Sequence, residues 1–102
     1  MIDPMKFRRE HLRWLILLAL NHGRPSSVVD ALILSAARAD FPDCTMVELQ
    51  READYLKDRG LITVNRPPDN GHWMLDLTRA GVDLVEYTVD CEPGIGRPEK
   101  YW

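Results

Sequence analysis

The three histidines of this chain, His11, His22 and His72, and its two cysteines, Cys44 and Cys91, are the side chains best suited to ligate a metal or act as nucleophiles. None sits at ligand spacing: neither cysteine has a CxxC partner or an adjacent histidine, and thiolate-based metal sensing needs such ligands clustered. We therefore expect no metal, and reduced, structurally incidental thiols rather than a disulfide. Ser26, Ser27 and Ser35 lack the strand–turn–helix setting of a nucleophile elbow. Gly94-Ile95-Gly96 lies in an irregular tail, not between a strand and a helix, so it is no phosphate loop. No pair of acids falls in a predicted cleft. The expectation is a protein without enzymatic activity and without a cofactor.

What remains is charge and its placement. Thirteen Lys and Arg face sixteen Asp and Glu in 102 residues, a net charge of −3, which excludes a polycation that binds nucleic acid by bulk charge alone. The distribution is uneven. Residues 1–24 hold Lys6, Arg8, Arg9, Arg13 and Arg24 against two acids, residues 45–59 hold three cations against four acids, and residues 76–92 hold five acids against one arginine. Taken singly, Lys6, Arg8, Arg9 and Arg13 read as solvating the exposed start of a helix, and Arg51 as a surface arginine paired with an acid one turn away. Hydrophobic residues make up 45% and charged residues 28%, the balance of one globular domain with a single core. No apolar run approaches the ~18 residues that span a bilayer, and Met1-Ile2-Asp3-Pro4 has no signal-peptide layout, so the expected location is the cytosol.

The elements that must position these groups can be read in order. Asp3 as N-cap and Pro4 at the first helical position open a helix that runs to about Asn21, with Gly23 placed for a left-handed ending. Its second half, Trp14 to Leu20, is apolar on every face, which makes it the central helix of the domain or part of a subunit interface. Ser27 and Asp30 have capping-box spacing for a second helix over about Val28–Ala39, with Val29, Leu32, Ile33 and Ala36 on its inner face. Thr45 and Glu48 repeat that spacing for a third helix to Arg59, closed by Gly60, with Met46, Leu49, Ala53 and Leu56 as one buried stripe. Leu61–Arg66 and His72–Leu77 are strand-like and flank the turn Pro67-Pro68-Asp69-Asn70-Gly71, so they read as a hairpin, with Trp73 packing at its base. Thr78 caps a fourth helix in which Val82, Val85 and Val89 face inward. The boundaries are residues 1–89 for the domain and 90–102 for an irregular tail.

Three helices, a β-hairpin and a closing helix form the order of a winged helix-turn-helix, an α+β fold that is mostly α. Glu48-Leu49-Gln50-Arg51-Glu52-Ala53-Asp54-Tyr55-Leu56-Lys57-Asp58-Arg59-Gly60-Leu61-Ile62 resembles a recognition helix leaving through "L-x-x-x-G-L-I" into the wing. Leu77-Thr78-Arg79-Ala80-Gly81 is similar to the "L-T-x-x-G" that follows the wing in MarR-, PadR- and ArsR-like regulators. The whole chain, with its ending Cys91-Glu92-Pro93-Gly94-Ile95-Gly96-Arg97-Pro98-Glu99-Lys100-Tyr101-Trp102, also resembles small proteins of Mu-like transposable phages and prophages.

The resemblance implies duplex DNA as partner, with the third helix in the major groove and the wing over the backbone. Thr45, Gln50, Arg51 and Tyr55 would then contact DNA from that helix, Arg51 as a bidentate guanine reader and Tyr55 at phosphate. Arg66, Asn70 and His72 would contact the backbone from the wing, and Arg24, with the amides near Ser27 and Thr45, would hold phosphate. The acids Glu48, Asp54 and Asp58 oppose this, because they would approach a polyanion. A tail ending in Tyr-Trp suggests docking of Ile95, Tyr101 and Trp102 either on a second subunit or back on their own domain. In the first case Trp14 and Leu17 would join them in a homodimer interface, as two-fold operators favour. The implied function is a small phage or prophage transcriptional regulator. The reading from another class is a winged-helix protein-interaction module in phage assembly or host takeover, its acidic third-helix face meeting a basic partner.

Overall fold

The computed structural model describes residues 3–69 and 71–102. Helix α1, Pro4–Gly23, starts as its sequence suggests: the Asp3 carboxylate accepts the backbone N–H of Met5 at 3.0 Å and of Lys6 at 3.4 Å, with Pro4 inside the first turn. Its ending differs from expectation. Gly23 is the last helical residue and has no positive φ. Glycine is required there because a Cβ would collide with the Val28 side chain. Leu12, Ile16, Leu17 and Leu20 are buried, and the three later helices and the sheet all pack on this helix. Of its two sequence readings, α1 is therefore the central helix. Each of these leucine and isoleucine side chains contributes about 1.5–3 kcal/mol by burial.

The second element is the main correction. Val28–Val29 form strand β1, and α2 covers only Asp30–Ala37, with no side-chain cap. The two β-branched residues pair with strand β3, Met74–Leu77, at Val28↔Leu75 and Val29↔Met74, and the ladder bonds available there outweigh two more residues of helix. Ser27 is no cap either: its hydroxyl donates to the Asp76 carboxylate at 2.7 Å. Starting the helix two residues later turns its faces, so Ile33, Leu34 and Ala37 are inside while Leu32 and Ala36 are exposed.

Helix α3, Met46–Asp58, has Thr45 as N-cap, its hydroxyl accepting the Glu48 N–H at 3.2 Å. Leu49, Ala53 and Leu56 are buried and Met46 partly so. Gly60 closes it at φ +78°, a conformation that suits glycine. Strands β2, Ile62–Asn65, and β3, Met74–Leu77, run antiparallel with Ile62↔Leu77 and Asn65↔Met74 in register, and the sheet order is β1-β3-β2. Asn70, in the wing loop, lies outside the described residues. Thr78 caps α4, Arg79–Val85, accepting from Gly81 N and donating to Gly60 O at 2.6 Å. The glycine of the Leu77–Gly81 motif is explained by close approach, since a Cβ on Gly81 would strike the Leu61 carbonyl oxygen. Leu84 and Val85 are buried and Val82 partly so; Val89, expected inside, lies beyond the helix and is exposed.

Residues 90–102 hold no helix or strand, yet they are tied to the domain. Gly96 N–H donates to Glu10 O at 2.9 Å, Arg13 donates to Gly94 O at 2.8 Å, and Arg97 donates to Leu84 O and Val89 O. The Tyr87 hydroxyl donates to Pro98 O, and Trp14 packs edge-on against Tyr87. Trp14, Leu17 and Ile95, expected at a subunit interface, are thus buried within their own chain. The tail docks back because its backbone finds partners on α1 and α4. Of that expected set only Tyr101 and Trp102 are open, at 89% and 67% exposure. Among the described residues no helix is long and apolar enough to cross a membrane.

Gly81→Ala should cost about 1–3 kcal/mol by overpacking, and Gly60→Ala about 1–2 kcal/mol through its backbone conformation alone; urea midpoints equal to the parent's would refute both accounts. Deleting residues 93–102 should destabilise by about 2–5 kcal/mol, as loss of a buried aliphatic side chain does, and an unchanged melting temperature would show that the tail adds nothing.

Candidate nucleic-acid interface

Around the axis of α3, each side of the helix meets a different part of the molecule. Leu49, Ala53 and Leu56 enter the core. Glu48, Glu52, Tyr55 and Arg59 face α1 and the tail. Gln50 and Asp54 face α2 and the wing. Val47, Arg51 and Asp58 are left open to solvent, Val47 at 74% and the Arg51 side chain at 68% exposure.

The carboxylates that oppose a polyanion are mostly taken by guanidiniums from elsewhere. Arg8 of α1 makes a two-pronged contact with Glu48, at 2.7 and 2.8 Å, and reaches Asp43 at 2.9 Å. Its hydrogen bonds hold the Glu48 and Asp43 carboxyls below the usual carboxylate range and push the Arg8 pKa upward. Glu52, only 2% exposed, accepts Arg13 Nε at 2.8 Å, while Arg13 lies 3.5 Å above the Tyr55 ring. Arg66, leaving β2, pairs with Asp54 and covers Trp73. Arg59 pairs with Glu92 of the tail at 2.7 Å. The unfavourable charge count of α3 alone is thus corrected by α1 and the wing. Lys6 stays at the helix surface, but Arg8 and Arg13, expected merely to solvate a helix start, are half-buried partners of α3.

A second polar centre lies where α2, α3 and the wing meet. The Asp30 carboxylate, 1% exposed, accepts the Trp73 N–H at 3.0 Å, Gln50 Nε2 at 3.2 Å and His72 Nδ1 at 2.8 Å. Asp30 N–H donates in turn to Trp73 O at 2.9 Å. Burial pushes this carboxyl up, but the hydrogen bonds from Trp73, His72 and Gln50 outweigh it and hold the pKa below the ordinary value. The Asp30 carboxylate at the start of α2 is therefore turned to the wing and α3, and Ser27, expected beside a phosphate there, donates to Asp76 instead.

The expected DNA contacts fall into separate groups. Gln50 and His72 converge on Asp30, and Arg66 lies over the Trp73 ring. Thr45 caps α3 and borders its open face with Arg51, which approaches Glu52 at 3.5 Å. Tyr55 is on the tail side, under Arg13 and against Gly94, away from the open face. Arg24 donates to Asn21 at the far end of α1, sixteen residues or about 24 Å along the helix from Arg8. The sequence reading missed Asp30 as the joining group. Its signal was present: Asp30 is the one charge in the run Val28-Val29-Asp30-Ala31-Leu32-Ile33-Leu34. Burial raises the Cys44 thiol to about 11 and the Cys91 thiol also upward, which makes both poor nucleophiles. Among the described residues no three His, Cys, Asp or Glu side chains gather into a metal site.

Asp30→Ala should leave three donors unsatisfied and cost about 1–3 kcal/mol at neutral pH. Because the folded pKa is depressed, this stabilisation is present above the unfolded carboxyl pKa and is lost as pH falls through the lower folded value. Urea melts at neutral pH and at about pH 3 should therefore show the gap between parent and variant narrowing in acid; a gap that stays constant would contradict an ionised Asp30.

No protein-family model matches the sequence, and no curated protein matches it either. The structure is similar to that of Bacillus subtilis PadR in complex with operator DNA, with a TM-score of 0.56 and 20% identity over 89% of this chain and 51% of PadR. The chain thus spans about half the length of that protein. At this identity the likeness concerns architecture, and it agrees with the element order and the position of α3 beside the hairpin: the chain has a winged-helix fold.

Proposed function

We propose that this chain binds duplex DNA through the open face of α3, with the wing beside it. The observation that carries the reading is the pairing of Glu48, Glu52 and Asp54 with Arg8, Arg13 and Arg66. It neutralises three of the four carboxylates of α3, leaving Asp58 on the open side, and the exposed Arg51, 3.5 Å from Glu52, stands as a cation there next to the Thr45-capped helix start. The similar structure is of PadR with operator DNA, and duplex DNA is carried over here as part of the proposal. In this reading Arg51 is the base reader, Thr45 and Arg66 approach phosphates, and Gln50 acts from the edge of the same face. Tyr55 and Arg24 are left out of the contact set by their positions. The finer reading is a small transcriptional regulator of a phage or prophage, working as a homodimer to which the exposed Tyr101 and Trp102 contribute. A protein-interaction module remains the second reading, favoured by the exposed apolar side chains Met5, Phe7 and Val47.

Anisotropy titrations of mixed-sequence duplex across a range of salt should give affinity that falls steeply as salt rises. Selection from randomised duplexes should recover a motif, and Arg51→Ala should relax one position of it by about 1–3 kcal/mol. Absence of salt-dependent binding would reject the DNA reading in favour of the module; an Arg51→Ala protein with the parent's sequence preference would remove Arg51 as reader.

A further inference from the structure

The Asp30 centre holds a group that the fold alone does not require. His72 sits at the root of the wing with its side chain 66% exposed, while its Nδ1 is 2.8 Å from a carboxylate that is 2% exposed. An ionised carboxylate only accepts hydrogen bonds, so the Nδ1 position carries the proton. Among the described residues nothing hydrogen-bonds the other ring nitrogen, Nε2. In the neutral ring that nitrogen presents a lone pair. In the protonated ring it becomes a charged donor, and the Nδ1 bond to Asp30 becomes an ion pair.

We infer that Asp30 is a positioning residue that turns His72 into a proton-linked phosphate contact, so that one proton both tightens the wing on α2 and α3 and adds an exposed charged donor at the root of the wing. The inference rests on the duplex-binding reading and adds to it a dependence on pH. Of the charged groups on the elements near the ring, Asp30 of α2 bonds it, Asp54 of α3 is paired with Arg66 at the strand exit, and Asp69 of the wing turn accepts the Gly71 N–H; Gln50 of α3 is neutral. Asp76, farther along β3, is taken by Ser27. A second histidine–carboxylate pair, His11 Nε2 with Asp40 at 2.8 Å, lies between α1 and the residues after α2. It stacks on Phe7 and meets Phe41 edge-on, so it provides an internal control.

The experiment is a titration of the full chain with one mixed-sequence DNA duplex at fixed salt, at about pH 8 and about pH 6, where histidine changes charge. Parent affinity should rise on the order of five- to tenfold at the lower pH, the range open to a single linked proton. His72→Gln, an exposed change that can still donate to Asp30 but never gains charge, should bind with no such rise. Asp30→Asn should reduce the rise, and His11→Gln should keep it in full. If Asp30→Asn fails to fold, His72→Gln carries the test alone. Parent binding that is equal at both pH values, or a rise that survives in His72→Gln, overturns the inference while duplex binding stands. No duplex binding at either pH overturns both.

Discussion

A carboxylate removed from water must be met by donors or the fold loses several kcal/mol. Asp30 is met by three, one main-chain and two side-chain, arriving from the wing and from α3. This one requirement sets the mutual position of the three elements a winged helix uses. The hydrophobic core beneath them is unspecific in direction, as apolar contacts are. The polar centre is directional, and it fixes how far the hairpin leans toward the helix. The cost of burying the charge is offset only when all the donors are present together, so wing and helix pair are coupled more closely than their apolar contacts alone would dictate.

On the opposite flank of α3 the same logic applies to the carboxylates of Glu48 and Glu52. Arg8 and Arg13 rise from α1, the most buried helix, and reach two carboxylates one turn apart on α3, with Tyr55 under one guanidinium. The tail completes this layer by giving Arg13 a carbonyl at Gly94 and Arg59 a carboxylate at Glu92. The exposed face of α3 is consequently narrow and carries little net charge of either sign. Three of the four acids of α3 are thus occupied, and only Asp58 is left beside Arg51 on the open side.

Much of the architecture was legible from local signals. Asp3-Pro4, Thr45 with Gly60, and Thr78 with Gly81 each mark an element boundary through backbone chemistry that acts within a few residues. The motif glycines were legible as well, although the reason for Gly81 is a carbonyl contributed by Leu61 on another element. What was not legible depended on distant partners. Val28-Val29 has the propensity for strand, but only the unpaired edge of β3 decides the matter. The same holds for the site. Arg51 and Thr45 could be placed from helical spacing alone. Tyr55 and Arg24 could not, because the first is covered by the tail and the second is carried to the other end of α1. The pairings of Arg8 and Arg13 span 40 and 39 residues, beyond the reach of any periodicity argument.

The sheet order β1-β3-β2 has a consequence for chain entropy. β2 and β3 are joined by a local loop, nine residues apart at Asn65↔Met74, whereas β1 meets β3 at Val28↔Leu75, 47 residues apart. Closing the longer loop costs about 1.5 kcal/mol more by the logarithmic length dependence, and only two residues of ladder are gained in return. The shortest strand therefore closes the longest circuit in the sheet, and its attachment depends on the Asp30 bonds that begin where the strand ends.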